Sequence, residues 1–170
     1  MFDKRKNARI LRKNIDKESH GIFSKEICQK VQQFITDKKV IMLYNAIDGE
    51  VQVSSLALLK NKRFIYPRVE DNELVAVESS DFCIGTYGIL EPVGKEYTGK
   101  IDAIIVPMCA FDRNLNRLGF GKGFYDRFLK DKNCLKIGVA FSCQQTDSIQ
   151  TKETDIRMDI IITEKEVLAV

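Results

Sequence analysis

Four short apolar runs mark the chain: "VIMLY" (Val40–Tyr44), "IDAIIVP" (Ile101–Pro107), "LKIGVAF" (Leu135–Phe141) and "MDIIIT" (Met158–Thr163). Each has the length of a strand and is nearly continuous in apolar side chains, as expected of strands buried on both faces of a parallel sheet. "RFIYP", stopped by Pro67, and Glu73–Val77 add two lesser strands, and Met158–Thr163 is read as the last. Between the runs the period changes. Ile27, Val31, Phe34 and Ile35 lie at helical spacing and predict a helix over Phe23–Ile35, capped by Ser24. Asp16 is read as the cap of a separate turn at Lys17–His20, with His20-Gly21 as turn residues. A basic helix over 3–15, a short helix at Ser54–Leu59 and a helix starting in "GFYDRFLK" complete the list, and "GTYGILEP" reads as loop. Strands alternating with helices predict a three-layer α/β/α fold on a mainly parallel open sheet.

Ligands of such sheets bind beyond the carboxyl ends of the strands. The loops after Tyr44, Tyr66, Pro107 and Phe141 are therefore the places to look for chemistry. The third of them runs into "NRLGFGKGFYDRF" (Asn116–Phe128), which spends three of the chain's ten glycines on alternate positions. Glycines at 119, 121 and 123 let backbone amides close on an anion, and Arg117 and Lys122 bring full charge. The spacing fits neither the Walker loop nor the dinucleotide fingerprint. Asp126, in the first turn of the following helix, reads either as a complement to the helix dipole or as a Mg²⁺ ligand, with Asp155 as a second carboxylate.

Length and composition narrow the field. With 170 residues, 44% of them hydrophobic and 30% charged, the chain fits one globular domain, 1–170. A net charge of +3 is too small to argue for a nucleic-acid partner. The basic residues gather at the start, with Lys4, Arg5, Lys6, Arg9, Arg12 and Lys13 against Asp3 alone. The five cysteines form no C-x-x-C pair and read as reduced, mostly buried thiols. His20 is the only histidine, which argues against histidine-rich metal sites and histidine-dependent hydrolases. The start of the chain has no apolar signal segment, and no run reaches the roughly 20 residues of a membrane span, so a cytoplasmic protein without a membrane partner is expected.

"VPMCAFDRNLNRLGFGKGFYDRFL" resembles the signature of the 5-formyltetrahydrofolate cyclo-ligase family, V-P-G-x-A-F-D-x-x-G-x-R-L-G-x-G-x-G-Y-Y-D-R. "MLYNAIDGEV", "RFIYPRV", "GILEP", "GVAFSCQQ" and "TDIRMDIIIT" are similar to further family segments in the same order, so the likeness covers nearly the whole chain. It implies a Rossmann-like sheet of the sugar-phosphate isomerase/CoA-transferase kind. It also implies conversion of 5-formyltetrahydrofolate and MgATP to 5,10-methenyltetrahydrofolate, ADP and phosphate. By this resemblance Arg117, Leu118, Gly119, Phe120, Gly121, Lys122, Gly123, Phe124 and Tyr125 would form the ATP loop, with Arg117, Lys122 and Tyr125 in catalytic roles. Lys4, Arg5 and Arg9 would supply the cations of the first helix. Tyr44, Asn45, Ile47, Glu50 and Gln144, with Phe120 to Phe124, would meet the folate, and Asp126 and Asp155 the Mg²⁺. A monomer acting on a small molecule, without nucleic acid, is expected. The chain departs from the signature at Met108, where Gly is usual, at Phe124, where Tyr is usual, and in the first helix, where Arg5 stands for a Lys. Before any comparison, a non-catalytic phosphate-binding regulator and an RNA binder using the basic helix stay open as alternatives.

Overall fold

The computed structural model describes residues 3–85 and 87–169. Among these, seven strands form one sheet. Its centre is parallel: β10 (Ile160–Ile162), β9 (Leu135–Val139), β6 (Ala103–Pro107), β1 (Val40–Met42) and β2 (Arg63–Glu70) lie side by side in that order. Antiparallel strands close both edges, β3 (Glu73–Val77) on β2 and β11 (Val167–Ala169) on β10. The apolar run of β6 divides between the two faces with the period of a strand. Ala103 and Ile105 join a core with Ile27, Val31 and Ile35, while Ile104 and Val106 join a second core with Phe111, Leu115 and Leu129. The first core is covered by α2 (Lys17–Phe34), the second by α3 (Phe124–Leu129) and the chain that follows β6. Two small hairpins stand outside the sheet, β4 (Phe82–Ile84) with β5 (Leu90–Pro92) and β7 (Ala110–Phe111) with β8 (Arg117–Leu118).

The first helix, α1 (Lys4–Lys13), lies across the carboxyl ends of the parallel strands. It bonds to the loop after β1 through Arg12 and Asp48, to the chain after β6 through Arg12 and Met108 and through Arg5 and Gly119, and to the loop after β9 through Lys4 and Ser148. Its buried residues are Ala8 and Arg12, whereas Ile10 and Leu11 stay exposed. Polar contacts, more than apolar burial, hold it down.

Several local expectations give way to tertiary structure. Asp16 caps the whole of α2, accepting from the Ser19 amide at 2.9 Å, and the helix runs straight through His20 and Gly21. The helical cost of Gly21 is offset because His20 stacks near Phe141, at 4.9 Å between ring centroids, and its Nε2 lies 3.1 Å from the Glu50 carbonyl oxygen. Ser24 is buried in mid-helix and its hydroxyl accepts from the Gln52 amide at 3.1 Å. Pro67 does not end its strand. Ile65 turns its carbonyl toward β1, and by alternation Pro67 turns its nitrogen the same way, past the last residue paired with β1, so no ladder bond is lost. "GTYGILEP" contains β5, and β11 follows the strand expected to be last. No helix among the described residues is long and apolar enough to cross a membrane.

Met108 packs over Gly138 of β9, where an added Cβ would lie 2.2 Å from Met108 Cε and 3.0 Å from Met158 Cγ. Gly138→Ala should therefore cost about 1–3 kcal/mol by overpacking. Urea denaturation measures it; an unchanged midpoint would mean that the buried Met108 swings clear at no cost.

Candidate active site

The loop after β1 is shaped by its own side chains. The Tyr44 hydroxyl donates to the Val51 carbonyl at 2.7 Å and closes the loop on itself. Asp48 and Gly49 both take positive φ, 53° and 76°, and turn the chain under α1. Glu50 follows, 4% exposed, with Oε2 accepting from the Ile47 amide at 3.1 Å. Burial pushes its carboxyl up to about 7, against the opposing pull of that amide and of Arg12, whose Nη2 lies 4.0 Å from Oε1. Two residues earlier the opposite holds. Burial would raise Asp48 as well, but Arg9 at 2.6 Å and Lys13 on the same carboxylate hold it at about 2. Asn45 Nδ2 donates to the Leu90 carbonyl at 2.8 Å, tying the loop to the β4–β5 hairpin.

The glycine segment hangs from the β7–β8 hairpin, whose turn is built around Asp112. This buried carboxylate accepts from the amides of Asn114, Asn116 and Ile149 and from Asn116 Nδ2, all within 3.1 Å. Past Leu118 the chain needs left-handed backbone at Gly121 (φ 94°) and Gly123 (φ 69°), and around a Cβ added at Gly121 there is open space. Arg5 Nε donates to the Gly119 carbonyl at 2.9 Å, so α1 and the glycine segment meet. Phe120, 46% exposed, lies beneath the guanidinium carbons of Arg9 at 5.2 Å and Arg12 at 5.9 Å. Between helix and loop is a cavity of about 370 Å³, lined by Asp3, Arg5, Lys6, Arg9, Cys109 and Phe120. Three cations against one carboxylate make it suited to an anion. Lys122, two residues past Phe120 in the chain, is exposed.

Arg117, on β8, is buried and pairs with Asp126 through Nη2 at 2.6 Å, while its Nε has no hydrogen-bond partner among the described residues. Burial lowers its pKa, opposed chiefly by Asp126. Asp126 Oδ1 also accepts from the Ile156 amide at 3.1 Å, which brings Asp155 next to it in the chain; Asp155 Oδ2 accepts from the Lys152 amide at 2.8 Å. Among the described residues no hydrogen bond falls on Asp126 Oδ2 or Asp155 Oδ1. No group of three or more His, Cys, Asp and Glu gathers there as a self-sufficient metal site. Burial pushes the Tyr125 phenol upward, with Glu50 adding to the shift, and Arg117 lies 6.0 Å from the Tyr125 ring. Phe124 faces Tyr87 at 6.0 Å.

Of the residues singled out in the sequence, Arg5 and Arg9 line the cavity with Phe120, while Asn45, Ile47 and Glu50 lie in the loop after β1 and Tyr125 is near enough to Glu50 to be affected by its charge. Gln144 stands apart in chemistry. Its Oε1 accepts from the Phe141 amide and its Nε2 donates to the Met108 and Cys109 carbonyls, so its whole amide is spent inside the protein. Lys4 reaches the Ser148 carbonyl. Sequence reasoning missed Arg12, Asp48 and Asp112. Ala8 four residues before Arg12 marks the inward face of α1, and in "DRNLN" Asp112 with Asn114 and Asn116 suits an Asx-type turn.

Residues 3–164 match the sequence model of the 5-formyltetrahydrofolate cyclo-ligase family. The 5-formyltetrahydrofolate cyclo-ligase of Mycoplasma pneumoniae is 31% identical over 150 residues, covering 82% of this chain and 84% of its own. That of Haemophilus influenzae is 30% identical over 141 residues, 73% of this chain and 75% of its own. The NMR structure of Aquifex aeolicus 5,10-methenyltetrahydrofolate synthetase superposes with a TM-score of 0.86 at 37% identity, over 98% of this chain and 91% of that one. Fold, order of motifs and overall match agree, and the chain belongs to the 5-formyltetrahydrofolate cyclo-ligase family of enzymes.

Proposed function

We propose that this chain, as a monomeric cytoplasmic enzyme of one domain, converts 5-formyltetrahydrofolate to 5,10-methenyltetrahydrofolate at the expense of ATP. The observation that carries the reading is the cationic cavity between α1 and the glycine segment, whose Phe120 lies under Arg12, the guanidinium that faces the buried Glu50 carboxyl at 4.0 Å. Arg5, Lys6 and Arg9 line that cavity and, with the exposed Lys122 of the glycine segment, would hold the triphosphate. The amides of Gly119 to Gly123 would close on it. The folate would enter between Asn45, Ile47, Glu50, Phe120 and Phe124, with Glu50 accepting from pterin N–H donors. Gln144 would act through the Met108 and Cys109 carbonyls that it holds.

The formyl oxygen attacks the γ-phosphorus and the bond to ADP breaks. N10 then adds to the activated carbon, loses its proton, and the carbon–oxygen bond breaks to release phosphate. The cations are needed most in the first step, where charge moves from ATP onto the formyl oxygen. Arg117 is suited to meet that charge because it is buried, fixed by Asp126 and still holds a free Nε donor. Tyr125, held neutral, can donate a hydrogen bond toward the pocket without adding charge. Two carboxylates with an unused oxygen each fit a Mg²⁺ ion that takes its remaining ligands from phosphates and water. Asp126 and Asp155 would hold that ion, which when bound spreads the charge of the phosphate oxygens.

The direct test mixes purified protein, 5-formyltetrahydrofolate and MgATP and follows the methenyltetrahydrofolate absorbance band. Growth of the band that requires ATP is expected, and a folded protein that gives none would overturn the reading. Lys122→Ala, at an exposed position, should leave the unfolding midpoint in place and lower kcat/KM for ATP about tenfold or more. Unchanged ATP kinetics would remove Lys122 from the cradle.

Glu50 gives a pH signature. Its pKa is about 7 in the folded chain against an ordinary 4.5, so the folded state favours the proton. Pterin donors favour the carboxylate. Folate KM should fall as pH rises from about 6 to about 8, and Glu50→Gln should flatten that dependence. The same shift makes the folded state most favoured below pH 4.5. That advantage is lost as pH rises through about 7, at most about 3 kcal/mol in all. Glu50→Gln should therefore gain stability over the native chain at pH 8 more than at pH 5, as thermal unfolding would show.

A further inference from the structure

Arg12 is missing from every role assigned so far. It is 1% exposed, yet it sits on a helix that is otherwise mostly at the surface. Its Nε donates to the Asp48 carbonyl at 2.8 Å and its Nη1 to the Met108 carbonyl at 3.1 Å. Its Nη2 reaches Asp48 Oδ2 at 3.2 Å and faces Glu50 Oε1 at 4.0 Å. One rigid guanidinium fork thus joins α1, the loop after β1 and the chain after β6. On the same helix, one turn and two turns earlier, Arg9 and Arg5 line the cationic cavity.

We propose that Arg12 is a positioning residue that couples the two substrate sites, so that folate bound at Glu50 strengthens the binding of ATP at α1. The inference rests on the proposed function. Its physical basis is the small apolar burial of α1, which buries only Ala8 and Arg12 and is held by polar bonds; elements with few buried apolar contacts open at low cost. A ligand that fixes Ile47–Glu50 fixes the partner loop of Arg12. It thereby orders α1 before ATP arrives, and ATP no longer bears that ordering cost. Thermodynamic linkage makes the effect mutual: ATP strengthens folate binding by the same factor. Arg12 itself touches neither substrate.

Titration calorimetry with a non-hydrolysable MgATP analogue, in the absence and presence of 5-formyltetrahydrofolate, reads the coupling without turnover. In the native chain folate should tighten the analogue on the order of tenfold, and folate alone should slow amide exchange along α1. In Arg12→Met both ligands should still bind singly, but the tightening and the folate-induced protection of α1 should vanish. Arg12→Lys keeps the charge without the fork and should restore only part of the effect. Lys13→Met removes an exposed cation from Asp48 and should keep the full tightening. Absence of tightening in the native chain, or full tightening in Arg12→Met, would overturn the proposal. Should Arg12→Met not fold, the native exchange pattern and Arg12→Lys decide it: unchanged α1 exchange with folate, or full tightening in Arg12→Lys, overturns it. Failure of either single-ligand titration in the native chain would instead sink the proposed function, and the coupling with it.

Discussion

A buried guanidinium holds the first helix onto the ends of the strands. Removing a charge from water costs several kcal/mol unless hydrogen bonds and an opposite charge replace the solvent. Arg12 meets that condition with two backbone carbonyls and Asp48, and the three acceptors come from two loops that a parallel sheet keeps apart in sequence. The sheet order brings β1 and β6 side by side, so their carboxyl-end loops share one side chain. Without that fork α1 would have Ala8 as its buried contact, and the cations it carries would face solvent instead of the cavity.

The same loop gives two carboxyl groups opposite characters. Asp48 and Glu50 are two residues apart and both are shielded from water. Asp48 is surrounded by Arg9, Arg12 and Lys13 and stays ionised far below neutral pH, a structural anion for α1. Glu50 has one backbone amide and a cation at 4.0 Å, and burial wins. A carboxyl that exchanges its proton near neutrality costs the fold stability, which is reasonable at a position kept for a ligand and not for packing.

The sheet was legible because its strands are apolar on both faces, a pattern few other elements share. The four apolar runs and the glycine segment after β6 follow from composition and spacing alone. What escaped was decided at a distance. His20 and Gly21 read as a turn, yet they continue a helix because Phe141 and Glu50, far along the chain, receive the His20 ring. Pro67 reads as a stop, yet it stands where β1 has already ended. The hairpin around Asp112 and the β4–β5 hairpin are pairs too short to show alternation. At the site, Arg12 and Asp48 look like ordinary surface charges in sequence. Only the fold reveals that they meet. That the Gln144 amide is wholly committed to protein partners was not legible in sequence.

The pairing of Arg117 with Asp126 shows how such a site can be charged and still fold. A buried arginine without a partner would be strongly destabilising, and a carboxylate kept for a metal ion would be repelled by other acids around it. Placing the two 2.6 Å apart neutralises both in the substrate-free protein. In the proposed reaction the incoming phosphate oxygens and Mg²⁺ present the same charges in the opposite pairing: anion to Arg117, cation to Asp126. Phosphate oxygens there would give the orphaned Arg117 Nε an acceptor. The donors then need little reorganisation when charge moves to the formyl oxygen, and this preorganisation, more than the number of cations, is what the glycine segment and its flanking strand contribute.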